Sequence, residues 1–279
     1  FLCMAYTAFH VAIMNLYPLE TWTYRLIHLS GGLFIGFVFY SALTLRSEAD
    51  VVRPKRGPLE LVLAAAAILG VGYGFVMVAI AWGGLWFAGM RQPAPFIFQT
   101  FGVPLLVGTI AAVVGGWIFP ERARARVHWG DWVLAVAAVA VLGYILFNVG
   151  ALRLRAGTAL AQVADFYAAL VGVILILELT RRVAGLALVV IAGIFIAYSF
   201  LGPWLPGFLT HRGYSPERFF TYIFTDQGIL GDPIAVSSTY IILFITFAAF
   251  LQASRVGDYF VNFAYATPDR RGAAGFTPS

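Results

Sequence analysis

The sequence predicts an all-α, polytopic integral membrane protein with about eight transmembrane helices and a short interfacial helix in an outside loop. Three observations carry that prediction. Hydrophobic residues make up 61% of the 279 residues and charged residues only 11%, too little polar surface to clothe a water-soluble body of this length. Apolar runs close to the ~20 residues needed to cross a bilayer recur along the chain. The basic residues, 17 Arg and Lys55, gather at the ends of those runs, which suits anionic headgroups and gives no support to a nucleic-acid face.

The runs place spans at about 1–17, 22–45, 59–89, 97–119, 131–150, 164–181, 184–202 and 234–253. The first lacks an initiator Met and a basic leader, so it reads as a helix clipped at its start and not as a signal peptide. The third is long enough to tilt or to break near Gly83-Gly84, and its length allows both. Asp131 and Asp165 stand where the fifth and sixth spans begin and are read as capping residues. Gly32/Gly36 and Gly70/Gly74 have the small-xxx-small spacing that permits close helix approach. Tyr17, Trp22, Trp82, Trp86, Trp117, Trp129, Trp132 and Trp204 fall near span ends and are read as membrane anchors.

With the N-terminus inside, the inside loops and tail carry 12 basic residues and the outside loops 6, a bias that places the loop 203–233 outside. Arg153 and Arg155, in a short outside loop, run against the bias. Within the long loop, Ser215-Pro216 opens a helix through ERFFTYIFT, with a hydroxyl to cap and a proline preset for the first turn. This helix is expected to lie in the membrane surface, with Phe219, Phe220, Tyr222 and Ile223 available to it.

Few residues offer chemistry. Glu178, Arg181 and Arg182 stand at helical spacings of three and four, which reads as an interfacial ion pair fixing helix depth, with a proton or cation site as the alternative. Gly228 to Pro233 leads into Ser237, Ser238 and Thr239, hydroxyls that either hold an anion or a cation or cap the helix start. His10 and His28 have matching depths in successive antiparallel spans, ~10 Å and ~9 Å from the turn; they read as ordinary hydrogen-bonded or interfacial histidines, with a membrane b-type cytochrome subunit carrying bis-His haem as the alternative. The lone Cys3 forms no internal disulfide, no metal spacing is present, and no enzyme motif is found.

Several stretches taken together identify a family resemblance: RLIHL at 25–29, DWVLAVAAVAVLGYILFN at 131–148, LRAG at 154–157, LELTRRVAGLAL at 177–188, GPWLPGFLTHRGYSPERFF at 202–220 and GILGDPIAVSSTYIILFITFAAFL at 228–251. In this order they resemble the fused permease subunit of the TRAP (tripartite ATP-independent periplasmic) transporters, of the type that works with a TAXI-class solute-binding protein. The resemblance implies a multi-pass protein of the bacterial inner membrane with a cytoplasmic N-terminus. It implies ion-driven uptake of organic-acid or amino-acid-like solutes, with sodium as coupling ion, a proton gradient being the alternative, and no other cofactor. Residues 1–183 would be small-subunit-like scaffold, with 57–130 an added helix pair, 184–202 a connecting helix and 203–233 a periplasmic loop. Trp204, His211 and Tyr214 in that loop would meet the binding protein, and 234–279 would begin the large transport subunit, Ser237, Ser238 and Thr239 being candidate solute contacts. After Gly272 the family pattern does not continue, so the chain is expected to be truncated and not transport-competent alone. A non-transporting accessory membrane subunit is the further alternative.

Overall fold

A computed structural model describes residues 1–42, 57–120 and 127–266. In chain order the helices are α1 (Leu2–Asn15), α2 (Thr21–Phe39), α3 (Pro58–Ala88), α4 (Pro95–Ile118), α5 (Trp129–Phe147), α6 (Val149–Arg155), α7 (Val163–Ala184), α8 (Leu186–Leu201), α9 (Pro216–Ile223), α10 (Asp232–Val236), α11 (Ile242–Ala253) and α12 (Val256–Ala266). The described residues form no strand. The chain is a polytopic, all-helical membrane protein. Among the described residues six helices are long and apolar enough to cross a bilayer: α3, α4, α5, α7, α8 extended to Trp204, and the continuous helix Asp232–Ala253. Two of the eight expected spans differ. α1 has 14 residues, about 21 Å against a ~30 Å hydrocarbon core. α2 has 19 residues, diluted by Thr21, Thr23, Arg25, His28 and Ser30. Nine of the basic loop residues behind the orientation count (Arg46, Arg53, Lys55, Arg56, Arg122, Arg124, Arg126, Arg270, Arg271) lie outside the described residues.

Residues 19–235 form one compact unit; a second gathers Cys3–Pro18 with residues 236–266. In the first, α3 runs unbroken for 31 residues, about 46 Å, so the glycine pair at 83–84 does not break it and length in excess of the bilayer goes into tilt or projection. It stops at Gly89, whose φ of 65° gives the left-handed cap that ends many helices. α4 returns antiparallel at close range. A Cβ on Gly70 would sit 2.3 Å from the Pro104 carbonyl oxygen, and one on Gly108 would sit 2.6 Å from the Val71 nitrogen, so only hydrogen fits at either position. Where lipid tails are as apolar as leucine, such backbone approach and the dispersion it gains hold helices together.

The pair α3/α4 is integral to the bundle. Phe101 and Leu105 of α4 are fully buried with Ala67 and Val71 of α3, Leu134 and Tyr144 of α5 and Leu175 of α7. α2 packs on α5 and α7, with Gly36 directly under Leu179. The segment 151–155, expected as loop, belongs to the helix α6.

The aromatic face of the loop helix, expected to be available to the membrane surface, packs in part within the protein. Ser215 does cap α9, accepting from the Arg218 amide, yet Phe220 and Phe224 are buried. Phe220 meets Phe166 of α7 edge-on at 5.9 Å, and Phe219 meets Phe200 of α8 at 5.0 Å. The Phe224 ring occupies the space beside Gly172, where a Cβ would be 2.5 Å away. α7 supplies an apolar groove inside the protein, so the aromatic face of α9 turns into it and leaves Tyr222 exposed.

In the second unit, α11 and α12 are separated at Arg255, a non-glycine residue at φ 53°. Between α10 and α11, Ser237–Ile241 winds as a π-helical turn.

Candidate functional site

The chain carries its buried charge at the two ends of the 19–235 bundle. At one end α2 and α4 finish, α5 begins and α7 finishes. Glu178 accepts Arg182 Nε at 2.7 Å and Arg181 Nη2 at 2.9 Å on Oε1, and Arg181 Nε at 2.9 Å and Trp117 Nε1 at 3.2 Å on Oε2. Four donors fill the four lone-pair positions of a carboxylate, which leaves none for a proton or a coupling ion. Arg182 Nη1 also donates to Asp131 Oδ1 at 2.7 Å and to the Tyr40 carbonyl at 2.8 Å, and Arg181 Nη2 donates to the Ala42 carbonyl at 2.6 Å. Cations thus meet carbonyls at the C-terminus of α2, where the helix dipole is negative. Their faces are covered by Phe37 and Trp117, at 5.0 and 5.2 Å.

This cluster lies at the helix ends, as expected of the ion pair, and is in addition buried within the protein. Glu178 is 4% and Arg182 5% exposed. Asp131, expected to cap the fifth span, is not the cap of α5. His128 caps α5 through Nδ1, accepting from the Gly130 amide, and Asp131, three residues on and 3% exposed, holds Arg182. Two carboxylates and two guanidinium groups balance within one cluster.

At the opposite end α2, α4 and α7 begin and α5 finishes. Asp165 accepts Tyr144 Oη at 2.7 Å and Arg155 Nη2 at 2.8 Å on Oδ1, and Arg155 Nε at 2.7 Å and the Gln162 amide at 2.8 Å on Oδ2. Asp165 belongs to a capping box with Gln162, the cap itself, so the expected capping residue is also a buried ion-pair partner. Burial works against the charge on Arg155, but the Asp165 carboxylate beside it holds its pKa above the ordinary guanidinium value. Around this core, Glu20 caps α2 through the Trp22 and Thr23 amides and pairs with Arg153, which covers the Trp22 ring at 5.2 Å. Arg218 Nε of α9 donates to the Gly157 carbonyl at 2.9 Å, and Arg25 Nη1 of α2 to the Leu230 carbonyl at 2.6 Å. Both arginines that ran against the charge bias are therefore paired.

The other sequence candidates fall elsewhere. Trp22 is buried and Trp82 donates to the Gly143 carbonyl at 3.0 Å, so these two work inside the bundle; Trp117 donates to Glu178 while staying exposed, as Trp86, Trp132 and Trp204 are. In the long loop, Trp204 is 78% exposed and Tyr214 also faces outward. His211 is bonded inward: its Nδ1 accepts the Gly213 amide at 3.0 Å and its Nε2 lies 3.0 Å from the Tyr198 carbonyl. Ser237, Ser238 and Thr239 do not stand at a helix start, because the helix already begins at Asp232; they form the π-helical turn, with Ser238 fully buried. Irregular turns of this kind recur at functional sites. His10 is buried with Nδ1 2.8 Å from the Tyr6 carbonyl one turn back. His28 lines an apolar hollow of about 380 Å³ between α2 and α7. Tyr144, and the bonding roles of Arg155, Trp117, Asp131 and Asp165, escaped the sequence reading.

Over 113 residues the chain is 34% identical to the multidrug efflux pump Tap of Mycolicibacterium fortuitum, a stretch covering 40% of this chain and 27% of that pump. The chain thus spans about a quarter of the length of the curated relative it matches. No family model and no solved structure matches. The similarity is to a membrane transporter, at the level of that class.

Proposed function

We propose that the chain is a scaffold component of a membrane transporter. The observation that carries this reading is the clamping of the 19–235 bundle at both ends by buried carboxylates, Glu178 and Asp165, each saturated by four donors. A bundle fixed in this way suits the static part against which a transport domain moves. In the apolar stretches of α8 and of the helix Asp232–Ala253 only 6% of the residues are buried within the chain, as in lipid-facing or partner-facing spans. The similarity to the efflux pump supports transport as the class of activity.

The finer reading follows the TRAP resemblance. The chain sits in a bacterial inner membrane with its N-terminus in the cytoplasm. It serves sodium-driven uptake of an organic-acid or amino-acid-like solute delivered by a periplasmic TAXI-type binding protein, which docks on the loop around Trp204 and Tyr214. Export, as the name of the efflux pump describes for that protein, is the second reading. One experiment separates them. Cells expressing the transporter are assayed for sodium-dependent accumulation of labelled organic acids with the binding protein present, and in parallel for drug resistance. Accumulation lost on Trp204→Ala/Tyr214→Ala supports uptake; drug export without any binding protein overturns it.

A further inference from the structure

At the Asp165 end a cavity of about 840 Å³ opens between the α3–α4 connection, the end of α5, α6 and the first turn of α7. Its polar lining is Arg91, Gln92, Gln99, Asn148, Arg155 and Gln162, and no carboxylate lines it. Arg91 is exposed and makes no ion pair or hydrogen bond among the described residues. Arg155 gives Nε and Nη2 to Asp165, which leaves Nη1, and Asp165 itself is not part of the lining. α4 starts at the cavity wall with Ala94 and Pro95 and no side-chain cap, so the positive end of a 24-residue helix adds to the two guanidinium groups. By contrast, the start of α7 is already occupied by its own capping box.

Depth points to the same occupant. α3 ends at Ala88, α4 begins at Pro95, α5 ends at Phe147 and α7 begins at Val163, so the cavity lies where apolar spans start and stop, at headgroup level. Phe98 and Phe147, 5.6 Å apart edge to face, give it an apolar wall. Its volume falls within the range of ordinary ligand sites, roughly 300–1,000 Å³.

We infer that this cavity binds a phosphate-type oxyanion, held by Arg91 and the free Nη1 of Arg155 beside the start of α4. Two sources carry that group: the phosphodiester of an anionic lipid and a soluble phosphate. The site needs no transport cycle to bind, so its failure leaves the transport reading untouched.

The test titrates the purified full chain in detergent with short-chain phosphatidylglycerol, short-chain phosphatidylcholine and inorganic phosphate at matched ionic strength, for the native protein, Arg91→Gln and Gln99→Glu. Both replaced side chains are exposed and bond to nothing among the described residues, and a melting curve confirms folding of each variant. Phosphatidylglycerol is expected to bind at least tenfold tighter than phosphatidylcholine, and Arg91→Gln to weaken it roughly ten- to a hundredfold. Gln99→Glu, which sets a carboxylate on the wall, is expected to weaken it at least as much. Inorganic phosphate that binds the native protein and not the variants identifies a soluble oxyanion as the source; phosphate that binds neither, with phosphatidylglycerol binding lost in both variants, identifies the lipid. Equal binding of the two lipids, or affinities unchanged in both variants, overturns the site.

Discussion

Glu178 and Asp165 sit at opposite ends of one bundle, and each accepts four hydrogen bonds, but their surroundings differ in charge and in access. Around Glu178 a second carboxylate, Asp131, meets a second arginine, and the Arg182 side chain is wholly buried. Around Asp165 there is one arginine, Arg155, whose side chain keeps 15% exposure and borders a cavity. One end is closed and charge-balanced; the other holds its helices while keeping a basic face open. The physical lesson concerns what is stranded when a partner is lost: a buried ion without water is costly, whereas one with a route to water is not.

That contrast can be broken by substitution. Arg182→Met leaves Asp131 without its arginine and Glu178 with one guanidinium, and is expected to cost about 3–5 kcal/mol, read as loss of folded protein in size-exclusion thermal melts. If it melts like the native chain, the Glu178 end is not a clamp. Asp165→Asn keeps the shape but removes the charge opposite Arg155, which water in the cavity then rehydrates; the expected loss is about 1.5–3 kcal/mol. A double-mutant cycle with Arg155→Gln should return a coupling energy of about that size. Gly108→Val, between the two ends, reports on packing alone and should cost about 1–3 kcal/mol by overpacking against α3. Tyr144→Phe removes one of the four donors to Asp165 and should cost about 1 kcal/mol. Arg153→Gln breaks a pair in which both side chains are about two-fifths exposed, so a change of under about 1 kcal/mol is expected; a larger loss would give the outer pair a share in the clamp.

Legibility in the sequence followed spacing. Glu178, Arg181 and Arg182 lie within one helical turn, so their meeting was readable, while their burial was not, since Tyr40, Trp117 and Asp131 arrive from three other segments. Asp131 and Asp165 were located correctly near helix starts and assigned too small a role: a capping pattern is local, whereas Arg182 is 51 residues from Asp131. The aromatic run of α9 was legible as a helix with an apolar face, but one sequence does not say whether lipid or α7 receives that face. Ser237 to Thr239 were taken to stand at a helix start because Gly231 and Pro233 look like turn residues; Pro233 instead occupies the first turn of the helix, where its missing N–H costs nothing.

Composition by itself determined the class. Hydropathy adds residue by residue, so 61% apolar content and recurrent runs were enough to predict helices packed in a bilayer. Only the tertiary structure decided what the few charges do. An ion pair between helices depends on depth and rotation of both, quantities no local window contains; two acidic residues at helix starts became, once the helices packed, the partners of Arg182 and Arg155.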